Sequence, residues 1–184
     1  YLAAQASEGR IKAGALANRR VVVFATHGLV PGDLDGLTQP ALALSSPAIT
    51  GEADSDGLLT MDEVLALRLN ADWVVLSACN TASGDGAGSE AVSGLGRAFF
   101  YAGARALLVT HWPVETVSAR LLTTDLFKRQ GEQPRLTRSQ ALRQSMLQLM
   151  ADDAKDARGR PEYAYAHPLF WAPFVLVGEG GTEP

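Results

Sequence analysis

Four apolar runs punctuate the chain and organise its reading. Arg20–Thr26 reads RVVVFAT, Trp73–Ala78 reads WVVLSA, Arg105–Thr110 reads RALLVT and Pro173–Val177 reads PFVLV. The middle two are short and mostly apolar, without strict alternation of polar positions, which predicts strands buried on both faces. Helical spacing lies between the runs. Thr60 and Glu63 stand at capping-box distance ahead of Val64, Leu65 and Leu67. Val92, Leu95, Phe99 and Ala102 recur at helical spacing until Gly103 ends the pattern. Val114, Val117 and Leu121 predict a further helix, and Thr137 with Gln140 caps another through Leu142, Met146, Leu149 and Met150. Strands alternating with helices predict an α/β sandwich with a largely parallel central sheet. In such sheets ligands sit beyond the carboxyl ends of the strands.

Two stretches lack these periods. Leu29–Leu59 is rich in Gly, Pro, Ser and Asp, too long for a plain connection in a compact domain, and predicts a functional loop or a small hairpin. It carries Asp33, Asp35, Glu52, Asp54 and Asp56 and no Lys or Arg, a charge pattern that suits solvation or attraction of a basic substrate. Asp152–Pro161 is charged and predicts an exposed loop.

Composition narrows the function classes. With 184 residues, 47% apolar and 20% charged, the chain can bury a core of ordinary globular character. No apolar run approaches the ~20 residues of a membrane span, and no secretory signal stands in residues 1–20, which gives a cytoplasmic expectation. The net charge of -4 speaks against a nucleic-acid surface. A single cysteine excludes an internal disulfide, and three histidines imply no metal or other cofactor. The chain begins at Tyr1 rather than Met, so it is expected to be an N-terminally truncated piece of a longer protein, with residues 1–184 forming one domain.

His27 and Cys79 hold equivalent places, each following an apolar run, in ATHG and SACN. On neighbouring parallel strands both would leave the same edge of the sheet, where a base and a nucleophile can meet. A free thiol with a pKa near ~8.5 is only slightly ionised at neutral pH, so an adjacent imidazole has work to do. Gly28 permits close backbone approach. Its N–H, with that of Cys79, can face a developing oxyanion. The same residues also fit a small buried thiol and a solvated imidazole, and spacing leaves both readings open.

The segments FATHG, DGLLTMDEVLALRLNADWVVLSACNTASGDG, SEAVSGLGRAFFYAGARALLVTHWPV and HPLFWAPFVLVG, in this order, resemble the CHAT domain from about Arg20 to Gly178. CHAT domains are caspase-like cysteine peptidases related to separases and usually attached to TPR repeats. The resemblance implies a caspase-hemoglobinase-like α/β/α sandwich, with His27 as general base and Cys79 as the nucleophile that forms a thioester. It also implies that a strand and helix of the family fold precede this chain, and that Tyr1–Ala17 forms the helix before the His27 strand. In separases an acid near Trp112-Pro113-Val114-Glu115 receives a basic P1 side chain. Glu115 matches by position, where many CHAT sequences have Asp, and a preference for Arg or Lys at P1 follows. Asp85 is a second candidate for that charge. Glu115 also suits an acid at a helix start, and Trp112 suits either a pocket wall or the core.

A cysteine endopeptidase with a narrow protein target is therefore expected, regulated by attached or partner repeats, in a setting that the resemblance links to bacterial defence. The alternative is a catalytically silent caspase-like scaffold. His111 reads as a structural or substrate-wall residue and His167 as part of a packing motif. Gly84–Ser89 lacks the Gly-Lys-Ser/Thr ending of a phosphate loop, and the chain has no GxSxG elbow.

Overall fold

The structure, a computed structural model, describes residues 1–76, 87–155 and 158–181, with 87–93 described through the backbone alone. The chain divides into two compact units, Tyr1–Trp112 and Pro113–Pro184.

The first unit opens with a 3-10 turn at Ala3–Gln5 and the short helix α1 (Glu8–Arg10). The Ser7 hydroxyl caps α1 by accepting the Arg10 N–H at 3.3 Å. A wide turn, Ile11–Ala15, follows and breaks at Gly14, whose φ of 89° lies in the left-handed region. The single helix expected over Tyr1–Ala17 is thus a series of short turns, interrupted where glycine takes a conformation a helix does not allow.

Strand β1 (Val21–Phe24) alternates, with Val22 and Phe24 buried and Val21 and Val23 exposed. The stretch expected as a functional loop or a small hairpin folds into a small antiparallel sheet. It holds β2 (Gly28–Leu29), β3 (Ala41–Ala43), α2 (Pro47–Thr50) and β4 (Leu58–Thr60), with β3 between its two partners. Two of its acids serve local turns, Asp33 accepting the Val30 N–H at 2.8 Å and Asp56 that of Leu58 at 2.8 Å, while Glu52 reaches back to the Gly9 N–H at 3.0 Å.

Helix α3 (Met61–Ala66) starts where the sequence indicates, with the Glu63 carboxylate accepting both the N–H and the hydroxyl of Thr60 at 2.9 Å. Strand β5 (Trp73–Leu76) is buried at every position, as its unbroken apolar run requires. It pairs in parallel with β1, Val21 opposite Trp73 and Phe24 opposite Leu76. Helix α4 (Ala87–Tyr101) then leads to β6 (Ala106–Thr110), parallel to β5 with Val74 opposite Leu107. The fold is thus mixed α/β with a mostly parallel central sheet, consistent with the caspase-like sandwich expected. Phe24, Leu42, Leu59, Val64, Leu76, Phe99 and Leu107 share one core, in which the Phe24 and Phe99 rings lie 5.5 Å apart. At the amino ends of the parallel strands Asp72 accepts from Arg20 at 2.6 Å and from Arg105 at 2.7 Å. Burial pushes the Asp72 carboxyl up, but the two guanidiniums outweigh it and hold the group below its ordinary range.

In the second unit α5 (Thr116–Glu132) packs against α6 (Arg138–Met150). The buried stripe of α5 is Ser118, Leu122 and Leu126, one position away from the expected Val117 and Leu121, and Val117 is exposed. Helix α6 carries the expected capping box at Thr137 and Gln140. The stretch read as a loop over Asp152–Pro161 includes β7 (Asp153–Lys155), which pairs antiparallel with β8 (Pro161–Ala164) and carries an irregularity at Ala154/Lys155. This hairpin is almost wholly exposed, so no hydrophobic alternation announces it. Its Tyr163 stacks on Phe170 at 5.4 Å, and Tyr165 meets the same ring edge-on at 5.2 Å. Strand β9 (Phe174–Gly178) forms where the apolar run at Pro173–Val177 predicts a strand, one residue later.

Candidate active site

His27 stands three residues past the end of β1 and immediately before β2. Its side chain is exposed, and the imidazole makes no hydrogen bond among the described residues. The backbone around it is held from one side. The Ala43 N–H donates to the His27 carbonyl at 2.9 Å, and the Thr26 hydroxyl donates to the Ala43 carbonyl. Strand β3 therefore fixes where the chain leaves β1 and how it turns into β2.

Gly28 opens β2 opposite Leu42. Antiparallel ladders alternate bonded and non-bonded pairs. Because Ala43 bonds to His27, the neighbouring pair Gly28 and Leu42 is of the non-bonded kind. The Gly28 N–H is thereby turned away from β3, the orientation a donor to an external oxygen needs. Cys79 and Asp85 lie outside the described residues.

Trp112 and His111 follow β6, Trp112 half-buried and engaged in interactions of its own, His111 exposed. Glu115, in the second unit, is the N-cap of α5. Its carboxylate accepts the Val117 and Ser118 N–H groups, each at 2.7 Å, while the Ser118 hydroxyl donates to the Glu115 carbonyl at 2.9 Å. A capping carboxylate of this kind satisfies two orphan donors and meets the positive end of the helix. It also acts on a neighbour. Burial, with the charges of Tyr163 and Glu115, pushes the Tyr165 phenol up. His167, exposed, caps the 3-10 turn Pro168–Phe170, its Nδ1 accepting the Leu169 N–H at 3.2 Å, a capping role where a packing one was expected. Among the described residues no group of three or more His, Cys, Asp or Glu is placed to hold a metal ion. No helix among them is long and apolar enough to cross a membrane.

Sequence reasoning missed Thr26 and Ala43. Neither residue type signals a role, because their contact with the His27 segment joins positions distant in the chain. A Thr directly before a candidate His at a strand end was the only available hint.

Comparison with known proteins bears on both units. The profile of the CHAT domain matches residues 1–179. The chain is 31% identical over 121 residues to "Tetratricopeptide repeat protein 28" of Mus musculus, covering 66% of this chain and 4% of that protein. It is 30% identical over 144 residues to the Homo sapiens protein of the same name, covering 75% of this chain and 5% of that protein. The chain thus spans about one-twentieth of the length of these curated relatives.

Proposed function

Since the chain belongs to the CHAT domain family, a caspase-like family, we propose that it is the peptidase domain of a cysteine endopeptidase that uses His27 and Cys79 on a specific protein target. The observation that carries this reading is the register of the parallel strands. Phe24 pairs with Leu76, and His27 and Cys79 each stand three residues further along the sequence. A base and a thiol at equal distances past a paired position of adjacent parallel strands would be expected at one edge of the sheet, which supports the dyad.

The chemistry follows from those roles. His27 takes the Cys79 proton, and the thiolate sulfur attacks the scissile carbonyl carbon. The oxyanion that forms is met by the Gly28 and Cys79 N–H groups. The C–N bond breaks as His27 returns the proton to the departing amine, leaving a thioester. His27 then deprotonates a water, which attacks the thioester and releases the acid and the free thiol. An exposed imidazole on a braced backbone supports this part of the reading.

A basic P1 side chain is the substrate class. Glu115 and Asp85 supply negative charge to it, and Trp112 supplies an apolar wall. A carboxylate has about four lone-pair sites, so Glu115 keeps acceptor capacity beyond its two helix N–H groups. The names of the two relatives support attached tetratricopeptide repeats as the regulatory region. A cytoplasmic location and the defence setting of bacterial family members complete the proposal.

The test is a panel of fluorogenic peptides differing only at P1 (Arg, Lys, Asp, Asn, Leu), cut by the whole protein that carries this chain. Cleavage after Arg or Lys should fall by about 10³-fold or more in Cys79→Ala and in His27→Ala. Cleavage after Asp or Leu would keep the dyad and remove the basic pocket. Activity that survives Cys79→Ala would sink the peptidase mechanism. Silence on every peptide, with a wild-type thiol that alkylates no faster in the presence of His27, would identify a scaffold.

A further inference from the structure

Glu8 is an acid in an unusual place. Its side chain is only 4% exposed, and carboxylates are seldom buried unless paired. One oxygen accepts from the Lys12 amine at 2.9 Å, and Lys12 also donates to Glu63 at 2.8 Å. The other accepts the Ser55 hydroxyl at 2.6 Å and the Gly57 N–H at 3.3 Å, a donor it shares with the Ser55 oxygen at 3.2 Å.

Gly57 passes this contact on. Its carbonyl accepts the Leu44 N–H at 2.7 Å, and Leu44 directly follows Ala43, whose N–H reaches the His27 carbonyl at 2.9 Å. Three hydrogen bonds and one peptide link therefore run from the buried carboxylate to the His27 backbone. Gly57 cannot be replaced as a node. Its φ is 79°, and a Cβ there would lie 3.1 Å from the Ser46 Cα and 3.2 Å from the Ser45 carbonyl oxygen. The same connector is tied to the start of the chain at Ser45, whose N–H donates to the Ala6 carbonyl at 3.1 Å and whose hydroxyl donates to the Ala3 carbonyl at 2.8 Å. The imidazole has no hydrogen bond of its own among the described residues, so the backbone beneath it sets where the ring can reach.

We infer that Glu8 is a positioning residue for His27, acting through Gly57, Leu44 and Ala43 and so coupling the N-terminal segment to the site. The catalytic meaning of this inference rests on the peptidase reading above.

The experiment compares Glu8→Ala, Glu8→Gln and Lys12→Met in the whole protein, by steady-state cleavage of the preferred peptide and by backbone amide exchange. Glu8→Ala should lower kcat about tenfold with KM unchanged. Glu8→Gln should recover most of that loss, since its amide oxygen still accepts from Gly57. Lys12→Met removes the ion pair but not the relay, and should leave kcat as it is. In Glu8→Ala the Gly57, Leu44 and Ala43 amides should exchange faster together, while Val74 and Val75 do not change. An unmoved kcat in Glu8→Ala, or an equal fall in Lys12→Met, would overturn the inference. Should the protein show no Cys79-dependent turnover, the exchange data decide alone, and acceleration that stops at Gly57 refutes the relay. Should Glu8→Ala not fold, the wild-type protein decides. The relay requires those three amides to open as one unit, and separate opening of Ala43 refutes it.

Discussion

One carboxylate, that of Glu115, faces two demands. It caps α5 through two N–H groups, and in the proposed pocket it also meets a basic P1 side chain. Substitutions can separate these roles. Glu115→Gln keeps an acceptor oxygen but loses the charge. It should lose preference for Arg and Lys at P1, with a stability loss smaller than that of Glu115→Ala because only one of the two capped N–H groups keeps its acceptor. Glu115→Ala should lose the preference and also about 1 kcal/mol of stability, read by denaturant unfolding beside the peptide panel. Glu8 gives a prediction in pH. Burial pushes its carboxyl up, but the Ser55 hydroxyl and the Lys12 amine outweigh burial and lower it from 4.5 to about 2. A folded-state value below the unfolded one contributes stability that is complete above pH about 4.5 and is lost as pH falls towards about 2. Wild type should lose stability across that window, and Glu8→Gln should show a flatter profile from a lower plateau. A Gln variant that follows the wild-type curve would refute the assignment. His27 and Gly28 were candidates from the local sequence because a His-Gly pair after an apolar run is a local signal. Glu8 and Thr26 were not, because their partners Gly57 and Ala43 stand far along the chain.

Among the elements, α4 shows how one glycine joins a helix to its neighbour. Gly103 ends α4 with φ 107°, and a Cβ there would overlap the Leu69 carbonyl oxygen, while the Leu69 N–H donates to the Ala102 carbonyl at 2.6 Å. Gly103→Ala therefore meets both backbone strain and a backbone clash that no side-chain rotation relieves. We expect a loss of about 2–4 kcal/mol, seen as a lower denaturation midpoint with an unchanged slope. This stop was legible, as were both capping boxes, the fully buried β5 and the mostly buried β6, since each rests on interactions within a few residues or on an unbroken apolar run. The face of α5 was not. Ser118 belongs to its buried stripe and Val117 is exposed, so a count of apolar positions finds the helix but shifts its phase. The β7–β8 hairpin escaped for a related reason, since exposed strands carry no alternating burial.

For the molecule as a whole, charge sets the remaining expectation. The chain carries a net charge of -4, and Asp35 and Asp54 in the 29–59 stretch are exposed. Association with a basic peptide should therefore weaken with salt. The ratio kcat/KM for an Arg or Lys substrate should fall several-fold from ~0.01 to ~0.15 M salt, while kcat stays constant. An equal salt dependence for a P1 Leu peptide would remove the electrostatic account. The parallel sheet was legible because its strands are apolar and separated by helical periods. The small sheet was only half legible, as a hairpin, since its strands are two or three residues long. That sheet has a practical consequence at its outer turn. Residues 31–36 are all exposed, and the turn closes on itself through the Gly32 N–H on the Leu37 carbonyl at 3.3 Å and the Leu37 N–H on the Leu34 carbonyl at 3.1 Å. A graft after Asp35 leaves the pairs Gly28–Leu42 and Leu29–Ala41 in place. An environment-sensitive dye carried there would sit on the turn of the β2–β3 hairpin, whose first strand begins next to His27. It would turn occupancy into an optical signal, so that candidate target proteins can be ranked by binding before any of them is cut.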